Sequence, residues 1–124
     1  MNKKGLLTIG LFGLILCICV SLSAQENQAN KQPSERIQKG INYLYTGKRE
    51  EARRIFSGAV ANPNDAADAY FYLGLSYYDE NNLITAKGYF LKAKELYKAK
   101  ENKEGEKRAQ DFINILSCDT IKQR

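Results

Sequence analysis

Histidine and tryptophan are absent from this 124-residue chain, and it has only two prolines, one methionine and three cysteines. Without histidine, Ser–His–Asp and Cys–His arrangements cannot be assembled, and the usual His/Cys zinc sites lack ligands. Cys17 and Cys19 lie in an apolar N-terminal run, which leaves Cys118 alone in the rest of the chain and rules out an internal disulfide there. Cys118 follows Ile113, Ile115 and Leu116. It is expected to be a small buried hydrophobe, with an exposed thiol able to cross-link two chains as the alternative. A phosphate-binding loop is also missing, because Gly58, Gly74 and Gly88 stand singly inside helical patterns. Glu50-Glu51 and Asp79-Glu80 are adjacent carboxylates, but helical neighbours point to different sides. Asn62-Pro63-Asn64-Asp65 lacks the downstream glutamate of a calcium loop. The expectation is a protein with no catalysis, no cofactor and no metal.

The first 24 residues have the composition of a transport signal. Lys3 and Lys4 precede an apolar run from Leu6 to Val20, and Ser21-Leu22-Ser23-Ala24 closes it. A basic start, an apolar stretch and a small-residue end describe a secretory signal peptide. Gly10 and Gly13 weaken the run as a membrane span, which needs about 20 apolar residues. Cleavage is expected after Ala24, or next after Ser23, and an uncleaved anchor is the alternative and the one expected route to membrane contact. Leu16 and Ile18 precede the two cysteines where a lipoprotein needs a small residue, which argues against lipidation. Export to the periplasm follows as the expected destination. Residues 25–32, with three glutamines and two asparagines, form a polar flexible leader.

Charge excludes a further class. Removing Lys3 and Lys4 takes the 19 basic residues to 17 against 14 acidic ones, a net of about +3 in a chain of 100 residues. That is too small and too mixed in sign for nucleic-acid binding. Lysines between Lys87 and Arg108 alternate with Glu95, Glu101, Glu104 and Glu106, as on a solvated helix face. Arg49, Arg53 and Arg54 could form a basic patch, diluted by Glu50 and Glu51.

What the chain does possess is internal repetition. Gly40, Tyr43, Ala52, Phe56 and Ala59 return 34 positions later as Gly74, Tyr77, Ala86, Phe90 and Ala93. A fixed period of this size signals stacked supersecondary units. In a helix, Gly40 and Tyr43 share a face, and Ala52, Phe56 and Ala59 make one stripe. Small residues let two backbones approach, and the aromatic rings fill the space beside that contact. Thr46-Gly47-Lys48 and Asp79-Glu80-Asn81-Asn82 supply turn chemistry between the helices. Asn62-Pro63-Asn64-Asp65 ends the first unit.

The order Gly-x-x-Tyr then Ala-x-x-x-Phe-x-x-Ala resembles the tetratricopeptide repeat (TPR), a helix–turn–helix unit of that period. Tyr70, Leu73, Gly74 and Tyr77 match its pattern, with tyrosine in place of tryptophan. The first copy departs from it at Arg36 and Lys39, and its Pro63 falls one residue early. A third copy, shifted by one residue, starts near Asn102 and puts Ala109 and Phe112 at the small and aromatic places. The resemblance implies an all-α TPR-type solenoid of two repeats plus a C-terminal capping helix. Unit 1 covers 33–66, unit 2 covers 67–100, the capping helix 101–119, and a tail 120–124. Glu104, Lys107, Arg108, Gln110 and Asp111 suit the polar outer face that a terminal element requires.

The first helix of each unit carries the functional expectation. Phe71, Leu75 and Tyr78 lie at i, i+4 and i+7, and Ile37, Ile41 and Leu44 repeat that stripe 34 residues earlier. In the family this face includes the concave, peptide-binding surface. The candidate protein-binding groove is therefore Ile37, Ile41, Leu44, Tyr45, Phe71, Leu75 and Tyr78. Helix–helix stacking can bury the same stripe; Phe71 is the expected core member, and Ile41, Tyr45, Leu75 and Tyr78 are expected to show. A clamp of lysines and asparagines for an acidic C-terminus is disfavoured, since Ile37, Ile41, Phe71 and Leu75 occupy its places. An apolar peptide or helix of a partner protein fits better, and a symmetric homodimer of an envelope subunit is the alternative.

Overall fold

The computed structural model describes residues 32–122, all of which form helices, turns and short connections. The expected signal peptide, residues 1–24, and nearly all of the expected polar leader lie outside the described residues. Five helices follow one another: α1, Glu35–Tyr45; α2, Arg49–Ala59; α3, Ala66–Tyr78; α4, Leu83–Ala99; and α5, Lys103–Lys122. Among the described residues there is no strand, so the all-α expectation holds. All five belong to one compact unit, Pro33–Arg124. The last helix runs three residues beyond the expected boundary at 119.

Side chains and turns set the helix ends. The Ile37 N–H donates to Ser34 Oγ at 3.3 Å, Thr85 N–H to Asn82 Oδ1 at 3.3 Å, and Gly105 N–H to Asn102 Oδ1 at 2.9 Å, satisfying donors left over at three helix starts. Three turns share one construction. Lys48, Asn82 and Asn102 donate their N–H to the carbonyls of Tyr43, Tyr77 and Tyr97 at 2.9, 3.0 and 2.9 Å. The residue before each donor bonds one turn back and takes a left-handed conformation: Gly47 at φ 78°, Asn81 at 61°, Glu101 at 57°. This doubly bonded C-terminal motif reverses the chain within three residues. The α2–α3 link is built differently, around Asn62, whose carbonyl accepts from both Asp65 and Ala66.

Two clusters of buried side chains form the core, and α3 serves both. Ile37, Ile41, Ala52, Phe56 and Ala59 from α1 and α2 meet Ala69 and Leu73 of α3. Ala67 and Phe71 of α3 meet Ala86, Phe90, Ala93 and Tyr97 of α4 and Ala109, Ile113 and Leu116 of α5. A helix buried on two sides is apolar nearly all round, which accounts for the run from Tyr70 to Tyr78. Both clusters contain close approaches of a glycine to a ring. A Cβ on Gly74 would lie 2.8 Å from Phe90 Cε1, and one on Gly40 would meet the Phe56 ring closer still.

Polar ties lock the connections. The Arg53 guanidinium on α2 donates from Nη1 to Glu80 Oε2 at 3.0 Å and from Nη2 to Glu50 Oε1 at 2.9 Å, and it lies 4.7 Å from the Tyr77 ring. Lys100 at the end of α4 donates to the carbonyls of Pro63 and Asn64 in the α2–α3 link.

Candidate functional site

Packing divides the seven expected groove residues. Ile37 and Phe71 are buried in the core, and so is Ile41, at 8% exposure. Its burial corrects the expectation that Ile41 shows: α1 packs on α3 as well as on α2, which puts Ile41 in one cluster with Ala69 and Leu73. Leu44, Leu75 and Tyr78 are half-buried. Leu75 and Tyr78 pack against the second cluster, where the Phe112 ring of α5 lies 5.6 Å from Phe71 and 6.0 Å from Tyr78, both edge-on, and stacks on Phe90 at 4.9 Å. Tyr45 stands out in solvent, 88% exposed.

Four helices contribute to the surroundings of Tyr72. Its ring stacks on Phe56 at 5.4 Å and is half-buried. Burial pushes the Tyr72 hydroxyl above its ordinary value, the Arg108 charge opposes that rise, and Asp68 and Tyr45 add to it. Tyr45 of α1, Asp68 of α3 and Arg108 of α5 thus each act on the Tyr72 hydroxyl. The Arg108 guanidinium lies 5.0 Å from the Phe71 ring and 6.0 Å from that of Tyr97. Beside it, the Tyr97 hydroxyl donates to Asp68 Oδ1, so that carboxylate is already engaged. Among the described residues, Arg108 is in no ion pair. The place is chemically suited to recognition: ring surfaces, phenol hydroxyls and one cation over aromatic rings.

Neither Tyr72 nor Arg108 stands out as a site residue in the sequence. Arg108 is exposed, as expected for the polar face of the last helix, and its guanidinium also lies over the ring of buried Phe71. Its place depends on how α5 rotates about its own axis, and the one-residue shift of the third copy obscures that rotation. Tyr72 follows Phe71 directly, and only the double-sided burial of α3 makes both neighbours matter.

Other groups offer less. The patch expected from Arg49, Arg53 and Arg54 loses Arg53 to Glu80 and Glu50, and the Arg53 bond holds the Glu80 carboxyl below its usual range. Cys118 is exposed, which corrects the expectation of a buried thiol and places it on the solvent side of α5. A cavity of about 470 Å³ lies between Tyr78, Asp79, Asn81, Leu83, Asp119 and Lys122. Among the described residues, no group of three or more His, Cys, Asp and Glu side chains could hold a metal ion. Nor is any described helix long and apolar enough to cross a membrane. Comparison with protein-family models, with curated proteins and with solved structures finds no match for this chain.

Proposed function

We propose that the five helices stack as a TPR-type solenoid, two repeats closed by a capping helix, and that the protein is a non-catalytic scaffold. Its binding face is the surface around Tyr45, Tyr72 and Arg108, flanked by Leu44, Leu75 and Tyr78. The occupant is a segment of a partner protein that lays an apolar side chain on the rings and a hydrogen-bond acceptor on Arg108. Delivery by the N-terminal signal would place this scaffold in the cell envelope, in the periplasm.

Tyr45 is the observation that carries the proposal. A tyrosine almost wholly in water contributes nothing to the core, yet it acts on the hydroxyl of half-buried Tyr72, as does Arg108, which is in no ion pair among the described residues. Tyrosine and arginine are the side chains that most often dominate binding energy at protein interfaces. A photo-crosslinking residue at position 45 tests it, against the same residue at position 57, where Ser57 is exposed on α2. Adducts at position 45 and none at 57 are expected. Equal yields at both positions, or none at 45, would refute the assignment. An adduct of twice the chain mass would identify the occupant as another copy, making the protein a self-associating subunit.

A further inference from the structure

The outward face of α4 has a composition that the fold does not require. Ile84 is 87% exposed and Leu91 44% exposed, one on each side of Gly88, where an added Cβ would meet nothing within 4 Å. These three residues lie at i, i+4 and i+7, on one side of the helix. The residues 34 positions earlier on α2, at the equivalent place in the first repeat, are Glu50, Arg54 and Ser57, all exposed. The same surface is therefore polar in one copy and apolar in the other, so packing did not choose the isoleucine and the leucine.

Charge follows the same division. Counted from Gln25, the chain before Leu83 holds seven basic and eight acidic residues, whereas Leu83 onward holds ten basic and six acidic. The positive charge thus resides in the second half. On α5 it is partly neutralised, by Lys103 with Glu106 at 3.5 Å and Lys107 with Asp111 at 3.1 Å. On α4 it is not: Lys87, Lys92, Lys94 and Lys98 face one acid of the same helix, Glu95, and among the described residues none of the four is in an ion pair. Exposed Lys92 and Lys98 flank the apolar stripe, whose line continues at exposed Glu95, and the Lys92 ammonium lies 5.4 Å from the Tyr70 ring and 5.9 Å from that of Tyr89.

We propose that this face of α4 docks on an anionic phospholipid bilayer, with Ile84 and Leu91 entering the interface and Lys92 and Lys98 meeting the headgroups. Apolar side chains bordered by unneutralised lysines on an amphipathic helix surface match the chemistry of such an interface, where buried apolar area and attraction to anionic lipid add. A second copy is the poorer occupant, because Lys92 and Lys98 outnumber Glu95 on this face and two copies would bring like net charge together. Docking through α4 leaves Tyr45 and Arg108, on α1 and α5, for a protein partner, so this proposal goes beyond the scaffold function and stands without it.

Sedimentation with vesicles tests it, using the chain from Gln25, which keeps the whole helical unit and omits the apolar run at 6–20. Binding is expected to vesicles of mixed phosphatidylcholine and phosphatidylglycerol, not to phosphatidylcholine alone, and should weaken as salt screens the lysines. Ile84→Ser with Leu91→Ser, and separately Lys92→Glu with Lys98→Glu, should each lower the partition coefficient about tenfold or more while circular dichroism stays helical. Arg49→Glu with Arg54→Glu on α2 should change it less than about twofold. Absent binding, equal binding to both vesicle types, or binding unmoved by both α4 double variants would overturn the proposal. So would a loss on α2 as large as on α4, which would reduce the effect to overall charge. A concentration-dependent dimer abolished by the same α4 substitutions would also overturn it and assign the face to a second copy.

Discussion

Glycine marks two opposite situations in this protein, and single substitutions separate them. Gly40 faces Phe56, Gly74 faces Phe90 and Gly105 faces Tyr97, each so closely that a methyl group has no room. Gly74→Leu should therefore destabilise by about 1–3 kcal/mol through overpacking, visible as a lower melting temperature. An unchanged melt would contradict the close approach of α3 and α4. Gly88 in mid-helix has open space around it, so Gly88→Ala should stabilise by about 0.5–1 kcal/mol. Tyr97 gives a pH signature. It is 2% exposed; burial first, then the Asp68 charge, pushes its hydroxyl well above its ordinary value of 10.0. Above about pH 10 the unfolded chain loses that proton while the folded chain keeps it, so its contribution to stability is intact below that pH and lost above it. The decline should approach about 1.4 kcal/mol per pH unit, and half-buried Tyr72 adds in the same direction. Tyr97→Phe should be less stable at neutral pH, where Asp68 loses its donor, and should decline less steeply at alkaline pH. Urea midpoints across that range would show both.

Among the helices and turns, one backbone solution recurs with three different residues. Gly47, Asn81 and Glu101 all sit in the left-handed region at the close of a helix. Glycine adopts that conformation freely and asparagine tolerates it, whereas for glutamate it costs about 1 kcal/mol. Glu101→Gly should therefore raise stability by about 0.5–1 kcal/mol, read from a denaturant midpoint at unchanged slope. A loss of stability would mean that the Glu101 side chain makes a contribution larger than its backbone strain. The turns at Thr46-Gly47-Lys48 and Asp79-Glu80-Asn81-Asn82 were legible beforehand, because turn chemistry is local. The extension of α5 past residue 119 was not, because no proline or glycine ends the helix there.

At the scale of the whole molecule, α3 couples the two cores. Phe56→Ala removes a fully buried ring from the first cluster and should cost about 3–5 kcal/mol. Because α3 belongs to both clusters, melting should remain a single transition, followed by circular dichroism. Two separated transitions would mean that the clusters fold independently. Tyr45→Ser should leave that transition where it is and reduce partner capture, since its ring contributes nothing to either core. Sequence by itself determined the pairing of small residues with rings inside each helical hairpin, the positions of two turns and the all-α class. All of these follow from spacing along a helix and from the sterics of one or two neighbouring residues. Only the tertiary structure decided that Ile41 is buried, that Phe112 packs edge-on against Tyr78, that Cys118 faces solvent, and that Arg108 lies over Phe71 beside Tyr72. Periodicity assigns residues to a common face of one helix, but exposure depends on which other helix reaches that face, and contacts between α1, α3 and α5 join residues too far apart in the chain for any local pattern to record.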